Sequence, residues 1–243
     1  MVDLDSLRRK AAEEAAREVR DGEVIGLGSG GTVEFFIRAL GDRARREGLL
    51  IEAVPTSYQT SQLALEQTIR LTSLEKHPKL NRAFDGADKV DSHLNALKGG
   101  GGCHTREKIV AAASDEFIVL VDQSKIVKEL SGSQIVPIEV LPFASGYVMK
   151  KLVDLGGRPE MREVKGKLGP VIGDNGGFIV DVVFPRIESI ADLEGELNSI
   201  PGIIENGIFS DMIDRVYVGF TDCVEIRKKN KKTGEIEIVT LRN

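Results

Sequence analysis

Between Phe84 and Lys108 the chain reads F-D-G-A-D-K-V-D-S-H-L-N-A-L-K-G-G-G-G-C-H-T-R-E-K. Two carboxylates three residues apart, Asp85 and Asp88, precede a lysine, Lys98, which stands directly before four glycines, Gly99 to Gly102. Thr105-Arg106-Glu107-Lys108 closes the stretch. No packing requirement asks for a four-glycine run, which costs conformational entropy on folding. What the run offers is backbone N–H groups that a ligand can approach closely, with Lys98 beside them as a fixed positive charge for a developing oxyanion. Two nearby carboxylates push their pKa values apart, which suits proton shuttling. Glu107 falls in the first turn of the helix expected after the glycines, where the helix dipole favours its ionised form. This stretch reads as the active site. The plainer alternatives are an Asp-Gly turn with solvated acids and ordinary helix-start chemistry at Thr105 to Lys108.

A second glycine-rich segment, Gly26-Leu27-Gly28-Ser29-Gly30-Gly31-Thr32, follows a short apolar strand and opens a helix. A strand, glycine turn and helix present free N–H groups and a helix dipole to an anion. The segment also fits G-x-G-x-x-G, with Glu52 about 20 residues on, where a dinucleotide-binding protein carries its ribose carboxylate. Against a dehydrogenase, Ser29 and Thr32 put hydroxyls where a terminal phosphate can use them, and the Asp85–Lys108 block is left without a task. A ligand-free structural turn is the bland reading. Metal binding by Asp85, Asp88 and His93 lacks a diagnostic spacing. Cys103-His104 resembles a nucleophile and its base, but adjacent residues seldom point at each other. Asp122-Gln123-Ser124-Lys125 follows a buried strand, and Lys125 is placed to reach a phosphate held at the Gly28 turn.

The elements that position these groups alternate. Residues 4–20 predict an amphipathic helix, Glu23–Leu27 a strand and Val33–Leu40 a helix. Leu49–Val54 reads as a strand, Ser57–Glu66 as a helix, Thr68–Leu71 as a strand, and Ala83-Phe84 as the end of another at Asp85. Thr105–Ala113 suits a helix and Phe117–Val121 a buried strand ending at Asp122. Such alternation predicts a parallel sheet with ligands at the carboxyl ends of its strands, so the Gly28 turn, Asp85 and Asp122 should share one rim. From about residue 131 the pattern changes: a strand at Val136–Leu141, a helix at Phe143–Leu155, a strand at Glu160–Val164, a hairpin from Val171-Ile172 through Gly173–Gly177 to Phe178–Phe184, a helix at Ile190–Ile200 and a strand at Gly202–Phe209. That β-α-β-β-α-β order predicts a ferredoxin-like domain over 131–207. Arg215–Phe220 and Glu235–Leu241 read as closing strands that complete the first domain, 1–130, with 208–243. Lys228–Lys232 reads as a solvated turn. The fold class is α/β, a Rossmann-like parallel-sheet domain with an inserted ferredoxin-like α+β domain.

Composition narrows the function classes. A net charge of -5 and a pI near 5.4 argue against a nucleic-acid binder. An absence of Trp and 5% aromatic residues argue against recognition by stacking on bases or glycans. The charged start and the lack of any apolar run near ~20 residues predict neither signal peptide nor membrane span. Two cysteines without a pairing pattern fit a reducing cytoplasm.

Taken together, G-L-G-S-G-G-T, D-G-A-D, K-G-G-G-G, T-R-E-K and D-x-S-K, in this order and at these intervals, resemble the ribose-5-phosphate isomerase family of the A type. L-G-G-R-P-E (Leu155–Glu160), D-N-G (Asp174–Gly176) and I-P-G (Ile200–Gly202) extend the similarity over essentially the whole chain. The resemblance implies interconversion of ribose 5-phosphate and ribulose 5-phosphate in the pentose phosphate pathway, without cofactor or metal, by a homodimer or homotetramer. It implies Glu107 as the base that moves hydrogen between C1 and C2. Asp85-Gly86-Ala87-Asp88 would handle the sugar hydroxyls and ring opening, and Lys98 with Gly99, Gly100 and Gly101 would stabilise the enediolate. Ser29, Gly30, Gly31, Thr32 and Lys125 would hold the phosphate. Two positions depart from the family pattern: Gly31 replaces a serine and Lys89 a glutamate.

Overall fold

The computed structural model describes residues 3–130, 132–230 and 232–242. The first stretch of chain forms α1 (Leu4–Ala16), β1 (Val24–Leu27), α2 (Gly31–Glu47), β2 (Glu52–Pro55), α3 (Tyr58–Glu66), β3 (Arg70–Leu71) and β4 (Arg82–Asp85). Then come β5 (Lys89–Val90), β6 (Ala96–Leu97), α4 (His104–Ala112) and β7 (Phe117–Asp122). The middle of the chain gives β8 (Ile135–Val140), α5 (Ser145–Asp154), β9 (Arg158–Met161), β10 (Phe178–Val183), α6 (Ile190–Asn198), β11 (Ile203–Asn206) and β12 (Ile208–Phe209). The chain ends in β13 (Arg215–Gly219), β14 (Cys223–Lys229) and β15 (Ile236–Arg242). These elements divide into two compact units. The first comprises Met1–Ala87, Arg106–Ile126 and Met212–Asn243, and the second Asp88–Thr105 and Val127–Asp211.

The first unit is built on an eight-stranded sheet in the order β15-β14-β13-β7-β4-β1-β2-β3. From β3 to β13 every pairing is parallel. In chain order those six strands run 3-2-1-4-5-6, the Rossmann order, whose topological switch lies between β1 and β4. The central strands β1, β4 and β7 are buried along nearly their whole length, as a helix-covered parallel sheet requires. Leu7, Ala11, Ala12, Ala15 and Ala16 form the buried stripe of α1, which Asp3 caps by accepting from the Asp5 N–H. Leu27, Phe36 and Phe84 sit at full burial in one core, with the two rings stacked 4.4 Å apart. Each such side chain contributes roughly 1.5–3 kcal/mol.

The second unit has its own core around Val136, Ile138, Val180 and Leu197. Its four-stranded sheet runs β11-β8-β10-β9 with every neighbour antiparallel, and α5 and α6 provide the crossovers. This is the split β-α-β arrangement of ferredoxin-like folds. A small sheet, β12-β6-β5, completes the unit.

Several local expectations are revised. Residues 88–105 group with the second unit, because β5 and β6 pair with each other and with β12 instead of joining the large sheet. The single strand expected at Gly202–Phe209 is two, broken at Gly207. A Cβ there would lie 2.2 Å from the Lys98 carbonyl oxygen, so only glycine lets the chains pass. The hairpin arm at Val171-Ile172 is reduced to an isolated bridge between Ile172 and Phe178. Cys223–Lys229, whose charges hide its alternation, is a full strand between β13 and β15. The solvated turn expected at Lys228–Lys232 therefore begins later, and its Lys231 lies outside the described residues.

Candidate active site

In the first unit the carboxyl ends of β1, β2, β4 and β7 lie on one edge of the sheet, and the Gly28 turn occupies the switch point. The Gly28 N–H donates to the Phe84 carbonyl at 2.8 Å, carrying the ladder one residue past β1. A Cβ at Gly28 would sit 2.0 Å from the Asp85 carboxyl, so the missing side chain is the space Asp85 fills. That carboxylate is 2% exposed, and its Oδ1 accepts from the Ser29 N–H at 3.1 Å and the Gly86 N–H at 2.7 Å. Two backbone donors thus fix Asp85 against the turn. Ala87 follows at the end of this unit's first segment, half-buried like Gly86.

Beyond Ser29 the chain turns through Gly30 at φ +102°, a conformation that suits glycine. Gly30 is the N-cap of α2 and supplies no side-chain bond, and open space surrounds Gly30 and Gly31. The first N–H groups of α2, at Gly31 and Thr32, therefore point out from an uncapped positive helix end. The Ser29 hydroxyl has a different task from the one expected. It donates to Ser57 Oγ at 2.8 Å and lies 2.9 Å from Thr56 Oγ1 and 3.2 Å from Thr60 Oγ1. Ser57 passes the chain on to Thr60, whose hydroxyl donates to the Gly28 carbonyl at 2.7 Å. Four hydroxyls brace the turn from below. The sequence reading missed Thr56, Ser57 and Thr60; the available signal was the helix-cap pattern Ser57-x-x-Thr60 at the end of a strand next to β1.

Lys125 ends a one-turn 3-10 helix, Gln123–Lys125, after β7 and is half-buried. Asp122, fully buried, anchors that turn: its Oδ1 accepts from the Ser124 N–H at 2.9 Å and its Oδ2 from Arg8 Nε at 3.0 Å. Burial pushes the Asp122 carboxyl upward, but the bonds from Ser124 and Arg8 outweigh it and hold the group below the usual carboxylate range. Lys125 shares the carboxyl edge with the Gly28 turn, with β4 between their strands.

Glu107 is 5% exposed, in the first turn of α4. A Cβ at Gly26 would lie 2.2 Å from Val110 Cγ1, so α4 packs closely on β1. Because α4 returns the chain to the start of β7, its first turn faces the carboxyl edge. Arg106 confirms the direction, with its guanidinium 5.4 Å from the ring of Tyr58, the neighbour of Ser57.

The second unit carries the remaining candidates. The β5–β6 hairpin brings Asp88 beside the start of the glycine run, with the Asp88 N–H donating to the Leu97 carbonyl at 2.8 Å. Lys98 is 3% exposed; its backbone N–H donates to the Gly207 carbonyl at 2.9 Å, and its Nζ lies 5.5 Å from the Phe209 ring centre. Gly99 and Gly102 take positive φ, and the Gly102 N–H closes a turn on the Gly99 carbonyl at 2.9 Å. The Gly100 N–H donates to Asp88 Oδ2 at 2.8 Å, so it is already engaged by the exposed carboxylate. Among the described residues, the Gly99 and Gly101 N–H groups have no acceptor. Two residues that the sequence reading missed hold this region. Arg162 donates to the Gly99 and Gly100 carbonyls, and fully buried Glu139 accepts from the Thr105 hydroxyl at the start of α4 and from Asn175 and Gly177.

The residues of the other readings are placed as follows. Cys103 Sγ lies 3.6 Å from the Gly101 carbonyl oxygen, while His104 Nε2 lies 3.3 Å from the Glu205 carbonyl oxygen. Glu52, the candidate ribose carboxylate, is paired with Lys76 at 2.8 Å and His77 at 3.0 Å. Among the described residues, no three His, Cys, Asp or Glu side chains cluster to hold a metal ion. No helix among them is long and apolar enough to cross a membrane.

A Rossmann-like parallel sheet with an uncapped glycine turn at its switch point defines a doubly wound α/β protein. Comparison with known proteins narrows this class. The sequence model of ribose 5-phosphate isomerase A (phosphoriboisomerase A) matches residues 52–223. Ribose-5-phosphate isomerase A of Methanosarcina acetivorans is 47% identical over 96% of this chain and 94% of its own. That of Archaeoglobus fulgidus is 50% identical over 86% of this chain and 93% of its own. The structure of ribose 5-phosphate isomerase A from Methanocaldococcus jannaschii superposes with a TM-score of 0.86 at 43% identity, covering 97% of this chain and 99% of that one. A D-ribose-5-phosphate isomerase in complex with phospho-erythronic acid gives 0.90 at 44%, covering 93% and 100%. The chain belongs to the ribose 5-phosphate isomerase A family, and it is an isomerase.

Proposed function

We propose that the chain interconverts D-ribose 5-phosphate and D-ribulose 5-phosphate through a cis-enediolate, in the non-oxidative pentose phosphate branch, with Glu107 as the base. The observation that carries this reading is the buried Asp85 carboxylate, held by the Ser29 N–H inside the same turn that opens an uncapped helix end. A sugar phosphate bound there by its phosphate brings its hydroxyls within reach of an acid that the backbone holds in place.

The chemistry follows from how weak a carbon acid the substrate is. The C2 hydrogen of the open aldose lies alpha to a carbonyl, and its removal needs a placed base and charge awaiting the new oxyanion. Glu107 takes that proton from C2 and returns it to C1. Lys98 and the Gly99 and Gly101 N–H groups stabilise the oxyanion, while Gly100 serves through Asp88, which it holds beside the loop. Asp85 and Asp88 exchange protons with the ring and chain hydroxyls. The Gly31 and Thr32 N–H groups with Lys125 hold the phosphate. Ser29 keeps the turn in shape through its hydroxyl network, and with Gly31 in place of a serine the backbone N–H groups or Thr32 serve for the lost hydroxyl.

Mixing the protein with ribose 5-phosphate, with neither cofactor nor metal added, should yield ribulose 5-phosphate to equilibrium. No turnover, or turnover only with an added nicotinamide cofactor, overturns the reading. Lys125→Ala should raise KM by about 10- to 100-fold with kcat little changed, as expected for a charge-assisted contact worth about 1.5–3 kcal/mol that is made equally in ground and transition states. An unchanged KM would remove Lys125 from the phosphate site.

A further inference from the structure

We infer that Arg162 is a positioning residue that aims the oxyanion-binding N–H group of Gly101 in the glycine run, with Asp181 fixing its orientation. This inference rests on the proposed role of Lys98 and the glycines in stabilising the enediolate. Arg162 follows β9, and its side chain is only 14% exposed. Its Nε and Nη2 form a fork on Asp181, at 2.7 Å to Oδ2 and 2.5 Å to Oδ1. The remaining Nη1 donates at 3.0 Å to both the Gly99 and the Gly100 carbonyl oxygens.

Peptide planarity turns those two bonds into a statement about donors. The carbonyl of one residue and the N–H of the next lie in one plane and point in opposite directions. Holding the Gly99 carbonyl on Arg162 sends the Gly100 N–H the other way, where it meets Asp88 Oδ2 at 2.8 Å. Holding the Gly100 carbonyl likewise turns the Gly101 N–H away from the guanidinium. Gly101 is one of the two N–H groups that have no acceptor among the described residues. A four-glycine run has no side chains with which to set these planes and is entropically the least inclined to keep them. The guanidinium also neutralises the carbonyl dipoles that would otherwise repel an oxyanion, and a charge-assisted bond to the carbonyl polarises the peptide toward stronger donation. Asp181 balances the charge of Arg162, so the pair contributes geometry more than a general positive field.

The test uses the full chain with Arg162→Ala, Arg162→Lys and Asp181→Asn, beside Lys98→Met and Glu107→Gln. Arg162→Ala should lower kcat about 10²-fold, the low end for loss of an oxyanion donor. KM for ribose 5-phosphate and inhibition by inorganic phosphate should stay within about twofold, because neither senses the oxyanion. Inhibition by phospho-erythronic acid, which carries a carboxylate besides its phosphate, should weaken in step with kcat. Added guanidinium should restore part of the kcat of Arg162→Ala and none of that of Lys98→Met. Asp181→Asn should lose about 10-fold in kcat, and combining it with Arg162→Ala should cost no more than Arg162→Ala alone. Where Arg162→Ala does not fold, Arg162→Lys and Asp181→Asn decide. A folded variant with normal kcat, or one that loses only thermal stability or KM, overturns the positioning role. If Lys98→Met and Glu107→Gln also turn over normally, the enediolate reading fails; if those two are inactive while Arg162→Ala is normal, only this inference fails.

Discussion

Glu107→Gln is expected to lower kcat by about 10³–10⁴-fold, the upper range for loss of a general base. The amide matches the carboxylate in size, so a side chain that is 5% exposed is replaced without opening a cavity. Stability should therefore change by no more than about 1 kcal/mol. What the amide cannot do is accept the C2 proton. Inorganic phosphate should inhibit the variant as it does the parent, since the contacts proposed for phosphate lie at the Gly28 turn and Lys125. Turnover in deuterated water provides a direct readout. The parent protein should place solvent deuterium on the carbons that exchange hydrogen, while Glu107→Gln should incorporate none over many parental turnover times. A folded variant that keeps near-normal kcat, or still washes deuterium into the sugar, removes Glu107 from the role of base.

The parts of the site that could be read from the sequence are those set by local pattern. Gly26 to Thr32 announces itself because strand, glycine turn and helix follow one another within a few residues. Asp85 and Asp122 are legible because a parallel strand that ends in an acid puts the acid on the ligand-binding edge. What stayed hidden depends on partners remote in the chain. The hydroxyls of Thr56, Ser57 and Thr60 gain meaning only once the register places Pro55 opposite Leu27. Strands of two residues, such as Lys89–Val90 and Ala96–Leu97, are too short to show a period, yet that hairpin is what brings Asp88 to Gly100. Arg162 lies 62 residues from Gly100, and nothing in R-P-E-M-R marks its second arginine as the one that grips a loop. A glycine run shows in sequence that N–H groups are on offer. It cannot show that the Gly100 N–H is taken by Asp88 and that a guanidinium sets the plane of the Gly101 N–H.

Lys98→Met is expected to cost about 10²–10³-fold in kcat, which corresponds to about 2.7–4 kcal/mol of transition-state stabilisation. That magnitude follows from the site. Lys98 is 3% exposed, pinned through its backbone to Gly207, with its ammonium over the Phe209 ring. A charge about 4 Å from an oxyanion is worth roughly 4 kcal/mol at an effective dielectric of 20, against about 1 kcal/mol in bulk water. Methionine keeps most of the length and packs against the same ring, so the loss falls on charge and not on volume. The ground-state aldose carries no oxyanion, so KM should move by less than about threefold. Lys98 and Glu107 are proposed to serve one step, so the double variant should be no slower than Glu107→Gln alone beyond about twofold, whereas independent contributions would multiply. A folded Lys98→Met that keeps kcat within about threefold while KM rises would make Lys98 a substrate anchor. The charge on the enediolate would then have to be met by the glycine N–H groups alone.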